Sequence, residues 1–295
     1  MKLEIKELHK SFGENHVLKG INIHAESGKA LGLLGRNGAG KTTTIRILLN
    51  IFQADSGEIL LDGKPIDISK IKIGYLPEER GMYPKKKILD QLVYFAELKG
   101  LGHKEAQTKC REWLERLELS DAANKRLNTL SKGNQQKVQL ITALINDPDI
   151  IVLDEPFSGL DPVNARVLED VVHEQIHNDK IVFFSGHQMN YIEEFCNDIA
   201  ILNHGEIVVH GALDDIRHTY PRNKLIIRSK DVNAIKENYG GTLDDKNNLL
   251  ITLDKEQQKN EVMLQLTKHY DIDEIKVYEP TLTDIFVDYT EGDRA

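Results

Sequence analysis

GRNGAGKTT, residues 35–43, follows the spacing G-x-x-x-x-G-K-[ST], a pattern suited to holding a string of phosphates. Gly35, Gly38 and Gly40 let the backbone curl until several N–H groups point inward, and a helix starting at its end adds a positive pole. Lys41 is then placed to reach the β- and γ-phosphates of a nucleotide, and the Thr42 hydroxyl to sit on Mg2+. A second stretch, IIVLDEP at 150–156, delivers Asp154 and Glu155 at the end of an apolar run. One carboxylate there can serve a magnesium shell and the other can polarise a water. Neighbouring side chains on a strand point to opposite faces, so the two are expected to take different roles. A glycine turn joining strand to helix and a solvated strand end are the plain alternatives. Both stretches in one chain, each on the elements the chemistry needs, speak against them.

Such residues need a strand ahead of the loop and a helix behind it. ALGLLG runs straight into the glycines and KTTTIRILLNIF follows them, after two earlier apolar stretches, LEIKEL and GINIHA. DIIVLDEP and KIVFFSGH are continuous apolar runs that end in polar residues, as strands buried on both faces of a largely parallel sheet would. The chemistry is therefore expected at the carboxyl ends of those strands. Residues 88–146 carry a helical period and form a helical insertion. Its last helix lines up Val138, Ile141, Leu144 and Ile145, and NDP at 146–148 stops it. DIAILNHGEIVVHG folds back as a hairpin around Asn203 to Gly205, and the pattern changes near TYPRNK.

From residue 222 the order read is strand (224–228), helix (232–238), strands near 241–253, helix (256–269), strand (273–279) and a last helix (281–289). That is a split βαβ, ferredoxin-like α+β arrangement. The expected division is a domain at 1–221 and a small accessory domain at 222–295.

The chain has 295 residues, 40% of them hydrophobic, enough for a large domain plus a small one. Its net charge of −9 and pI of about 5.7 disfavour nucleic acid as a partner. Cys110 and Cys196 lack metal-ligand spacing and read as reduced thiols of a cytosolic protein. No apolar run is long enough to span a bilayer, and the start MKLEIKELHK is too charged for a signal peptide. The chain is expected to dock onto a membrane-crossing partner, not to cross.

These motifs, in this order, make residues 1–220 resemble the nucleotide-binding subunit of ABC transporters. The resemblance implies a P-loop NTPase core of α/β class with a mostly parallel sheet, an antiparallel β subdomain and the helical insertion. It implies ATP and Mg2+ as ligands. Gly35, Arg36, Asn37, Gly38, Ala39, Gly40, Lys41, Thr42 and Thr43 match the family's phosphate loop, Asp154 its magnesium-associated aspartate and Glu155 its catalytic glutamate. Phe12 in KSFG matches the aromatic that stacks on adenine. SGLD at 158–161 matches the loop that communicates across the dimer, with Asp161 as its key residue, and His187 matches the switch histidine at the γ-phosphate.

Two positions depart from the family pattern. Glu78 stands where a glutamine touches Mg2+ and the attacking water; a carboxylate can bind the cation through oxygen but cannot donate. LSKGNQQK at 130–137 stands where the family's signature segment caps the ATP of a second subunit bound head to tail. Ser131 keeps the hydroxyl, Gly133 keeps the close backbone approach, and the following helix keeps the dipole. Lys132 adds a positive charge toward the phosphates, and Asn134 is a shorter amide. A serine N-cap on an ordinary helix is the bland reading. The segment is similar to that of bacterial ABC-2 type exporter ATPases such as sodium and drug efflux systems, and the C-terminal piece to their accessory domain.

The function implied is a cytoplasmic ATPase, peripheral on the inner face of the cell membrane, that pairs around two Mg-ATP and drives a separate integral membrane permease. A soluble ABC ATPase and a nucleotide-dependent regulator are the alternatives. GMYPKKK at 81–87 reads as a docking surface for the permease or anionic headgroups, or as a solvated face, since three lysines before a helix oppose its dipole.

Overall fold

Strand Lys29–Gly35 is apolar on both faces because it lies inside a sheet covered on both sides. The computed structural model describes all residues except 80, 187, 245, 256, 257 and 292–295. It places this strand in a six-stranded sheet whose order is Glu206–Ala212, Asp198–Asn203, Lys29–Gly35, Ile181–Ser185, Ile150–Asp154, Ile73–Leu76. Every pairing is parallel except the edge hairpin of Asp198–Asn203 with Glu206–Ala212. The period of two sorts the side chains. Leu31, Leu33, Ile150, Val152 and Phe183 share one core with Leu3, Ile5, Ile21 and Ile23 of an antiparallel sheet. That second sheet has the order Asn15–Glu26, Lys2–Phe12, Ser56–Leu61, Lys64–Pro65. Each such side chain, once buried, contributes about 1.5–3 kcal/mol, so the two layers are held by a broad apolar seam. Elsewhere in the core, Phe184 stacks with Phe157 and Phe195 at centroid separations of 6.1 and 5.5 Å.

The insertion carries helices Ile88–Leu98, His103–Arg116 and Lys132–Leu144. The last is buried on more than the expected apolar face. Val138, Ile141, Leu144 and Ile145 are covered, and so are Gln136, Lys137 and Gln139. Buried polar groups need partners, and these find them in backbone carbonyls: Lys137 Nζ donates to Leu117 O at 3.3 Å. Burial pushes the Lys137 ammonium below its ordinary pKa.

By internal packing the chain divides into two units, Met1–Leu213 with 286–295, and Asp214–Ile285. The change of pattern near residue 222 marks the turn into strand Lys224–Ser229, and the helix Leu213–His218 precedes it. The second unit's sheet runs Thr242–Leu243, Leu249–Thr252, Lys224–Ser229, Ile272–Val277, antiparallel throughout. Helices Val232–Tyr239 and Lys259–His269 fall between its strands in the ferredoxin-like order. Leu225, Ile227, Ile235, Leu249, Ile251 and Leu266 form its own core. Among the described residues no helix is long and apolar enough to cross a membrane.

Candidate functional site

The phosphate loop leaves the sheet at Gly35 and enters helix Lys41–Leu48. Between them the backbone turns through left-handed conformations at Gly38 (φ 81°) and Gly40 (φ 116°), which side-chain-bearing residues resist. A Cβ on Gly40 would also stand 2.6 Å from Leu18 Cδ2, so the loop is pressed against the antiparallel sheet. Ala39 N–H donates to Arg36 O at 3.1 Å and closes the turn. Lys41 folds back over the loop, its Nζ donating to Gly35 O at 2.6 Å and Arg36 O at 3.3 Å. Desolvation pulls the Lys41 ammonium below its ordinary pKa, while Glu155, Asp154 and Glu78 pull the other way.

The loop borders a cleft of about 590 Å³ lined by Asn15, Val17, Arg36, Asn37, Gly38, Gly40, Lys41, Thr42, Thr43, Glu78, Asp154 and Glu155. The sequence expectations for the phosphate loop and the carboxylates thus meet in one place. Of the loop residues, Gly35 and Ala39 lie behind the lining; Gly35 supplies the carbonyl that holds Lys41, and Ala39 is buried.

The two adjacent carboxylates do not point to opposite faces, as strand alternation had led us to expect. The strand ends at Asp154, and Glu155 takes a left-handed backbone (φ 53°) that turns its carboxylate into the same cleft. Such a conformation costs a non-glycine residue about 1–3 kcal/mol and persists only where its surroundings enforce it. Glu155 N–H donates to Ser185 O at 2.8 Å, tying this turn to the neighbouring strand end. Burial raises the Asp154 carboxyl above its usual range; a hydrogen bond from the buried Ser185 hydroxyl opposes that rise.

Other expected site residues lie elsewhere. Phe12 is 46% exposed and outside the cleft lining; its ring meets Phe52 edge-on at 5.5 Å, and its strand neighbour Asn15 reaches the cleft. Ser131 caps helix Lys132–Leu144, its hydroxyl accepting from Asn134 N–H at 3.3 Å. Gly133 is small for a reason within this chain as well: a Cβ there would come within 2.9 Å of Asn164 Nδ2. Asp161 holds that Asn164, accepting from its backbone N–H at 3.0 Å and its side-chain amide at 2.6 Å, and from Val163 N–H at 3.1 Å. Gly133 and Asp161 thus meet through Asn164, with Ser131 two residues before Gly133, and none of the three lines the cleft. His187 lies outside the described residues.

Sequence reasoning missed two glutamines. Gln136 Nε2 donates to Pro156 O at 3.3 Å, and Gln139 Nε2 to Pro77 O and Glu79 O at 3.2 Å each. The helix that starts at Ser131 therefore grips the segments flanking Glu155 and Glu78. The signal was present as amides beside the apolar stripe of a helix with hydrophobic neighbours on several sides.

Residues 18–158 match the family described as ABC transporter, and residues 211–290 the family described as ATP-binding protein DrrA1-3-like, C-terminal domain. The chain is 40% identical over 291 residues to the uncharacterized ABC transporter ATP-binding protein YhaQ of Bacillus subtilis (strain 168), with 97% of each chain covered. It is 32% identical over 214 residues to the Nod factor export ATP-binding protein I of Paraburkholderia xenovorans (strain LB400), covering 71% of this chain and 70% of that one. A solved dimeric structure of MJ0796, a bacterial ABC transporter cassette, matches with a TM-score of 0.64 and 25% identity over 72% of this chain and 98% of that one.

Proposed function

The chain belongs to the family of ABC transporter ATP-binding subunits, and from that premise we propose that it powers an exporter of the ABC-2 type whose permease is a separate membrane chain. It is an ATPase of that family. The observation that carries this reading is the convergence of Lys41, Thr42, Glu78, Asp154 and Glu155 on one cleft at the carboxyl ends of parallel strands.

The loop N–H groups and the N-terminus of helix Lys41–Leu48 receive the phosphates, and Lys41 exchanges its loop carbonyls for phosphate oxygens. Thr42, Asp154 and Glu78 are oxygen donors suited to Mg2+, which supplies neutralisation of phosphate charge when bound. Glu155 accepts the proton of the attacking water or orients that water. His187 is assigned to the γ-phosphate and Phe12 to the adenine on the strength of the family pattern.

Ser131, Gly133 and Asp161 are proposed to act on the nucleotide of a second copy, or of a related chain, paired head to tail. The dimeric structure of the cassette MJ0796 supports pairing, and the Nod factor export relative supports the direction of transport. We place the chain on the cytoplasmic face of the cell membrane, with 222–295 as an accessory domain. Nucleic acid has no part in this reading.

The permease is proposed to meet segment 81–87. Gln91 holds that segment, accepting from Tyr83 N–H at 3.1 Å and donating to Lys86 O at 3.4 Å. Beside it Tyr83, Lys86, Asp90, Gln91 and Tyr94 surround a shallow, largely apolar recess of about 240 Å³.

The test is turnover and pairing of the purified chain by phosphate release and light scattering, then its sedimentation with membranes that contain the permease. ATP-dependent dimers that hydrolyse ATP are expected, and membrane binding that the Lys85→Glu, Lys86→Glu, Lys87→Glu variant loses while keeping turnover in solution. A chain that binds ATP but neither pairs nor hydrolyses it, with or without membranes, is a regulator instead.

A further inference from the structure

The last described turn of the chain ends at the phosphate loop. Arg36, the second residue of that loop, pairs its Nη1 with Glu291 Oε1 at 2.6 Å across 255 residues of sequence. A second contact lies alongside it, the Asn203 amide donating to Tyr289 O at 3.5 Å. Asn203 ends the strand that pairs with the phosphate-loop strand, where Gly35 faces Leu202. Residues 286–291 pack with the first unit although the residues before them, 214–285, form a unit of their own. The chain leaves the ATP-binding unit, builds a separate fold and returns a carboxylate to the loop that receives phosphate.

Arg36 lines the cleft and Glu291 does not. Free, the Arg36 guanidinium would draw a polyanion toward the loop; partnered by Glu291, its charge is offset. The cleft already holds the carboxylates of Glu78, Asp154 and Glu155, so a further negative group at the rim opposes entry of ATP.

We propose that Glu291 is a positioning residue for nucleotide binding: it holds Arg36 at the rim of the cleft, offsets its charge, and thereby weakens ATP binding until the C-terminal turn is drawn away. This rests on the reading of the cleft as the ATP site. Release of the turn then raises nucleotide affinity, which makes residues 286–291 a route by which events at the C-terminal end set the occupancy of the loop.

Both side chains are more than half exposed, so the effect is modest and screened by salt. ATP affinity is measured by calorimetry for the full chain as wild type, Glu291→Gln, Arg36→Gln and the double variant, at low salt and at about 0.5 M salt. Glu291→Gln is expected to bind ATP about two- to fivefold more tightly at low salt. The gain should vanish at high salt and in the Arg36→Gln background, while Glu291→Asp stays near wild type. An unchanged affinity of Glu291→Gln at low salt overturns the proposal, and so does an equal gain with Arg36 absent. A wild type that binds no ATP overturns the ATP-site reading itself.

Discussion

Glu155→Gln is expected to bind ATP as tightly as the wild type, to hydrolyse it about 10²–10⁴-fold more slowly, and to accumulate as ATP-locked pairs. Glutamine keeps the shape of the side chain and can still hold a water, but it cannot take the water's proton. The backbone argument is specific to this position. Glu155 sits in a left-handed turn after the strand, pinned through its N–H to Ser185 O at 2.8 Å, and that turn delivers its carboxylate to the cleft beside Asp154. Single-turnover phosphate release with light scattering on the same samples checks both halves of the expectation. Undiminished turnover would remove Glu155 from the chemistry.

Lys41→Ala should lose at least about tenfold, and up to about a hundredfold, in ATP affinity. A hydrogen bond to a charged group contributes about 1.5–3 kcal/mol, and each 1.4 kcal/mol is a factor of about ten. Lys41 is drawn over the loop by Gly35 O and Arg36 O and stays close to where phosphate oxygens would replace those carbonyls. Calorimetric titration with ATP gives the loss, and a thermal melt of both proteins separates it from damage to the loop, whose carbonyls face solvent once the lysine is gone. Normal affinity in a folded variant would mean that the loop amides alone hold the nucleotide.

The phosphate loop, the parallel sheet and the ferredoxin-like second unit were legible because each is written locally, in glycine spacing and in runs of period two or 3.6. Asp154 and Glu155 were found and their geometry was misread. Strand alternation was extended one residue past the strand's end, and a left-handed residue reverses its prediction. Gly133 was read as making room for a nucleotide, and the packing of Asn164 against it is a second reason that a linear pattern cannot reveal. Gln136 and Gln139 escaped notice because a polar residue on a helix looks solvated until the fold covers it. Arg36 and Glu291 escaped for a plainer reason: nothing local connects positions 255 residues apart. Ser131 and Asp161 were legible as a motif, and the nucleotide role proposed for them requires a second chain.

The strand order has a consequence for how the protein is made. The antiparallel sheet pairs segments within the first 65 residues, and it can form early on the ribosome. Strand Lys29–Gly35 must wait, because its two neighbours are Ile181–Ser185 and Asp198–Asn203. At about 5–20 residues per second, roughly 10–40 s of synthesis pass before both can flank it. Through that interval an apolar strand with both edges unpaired is exposed to chaperones, and the nascent chain carries a phosphate loop with no sheet to hold it open. Nucleotide therefore cannot serve as an early folding ligand; it can only stabilise a unit whose central strands have already closed.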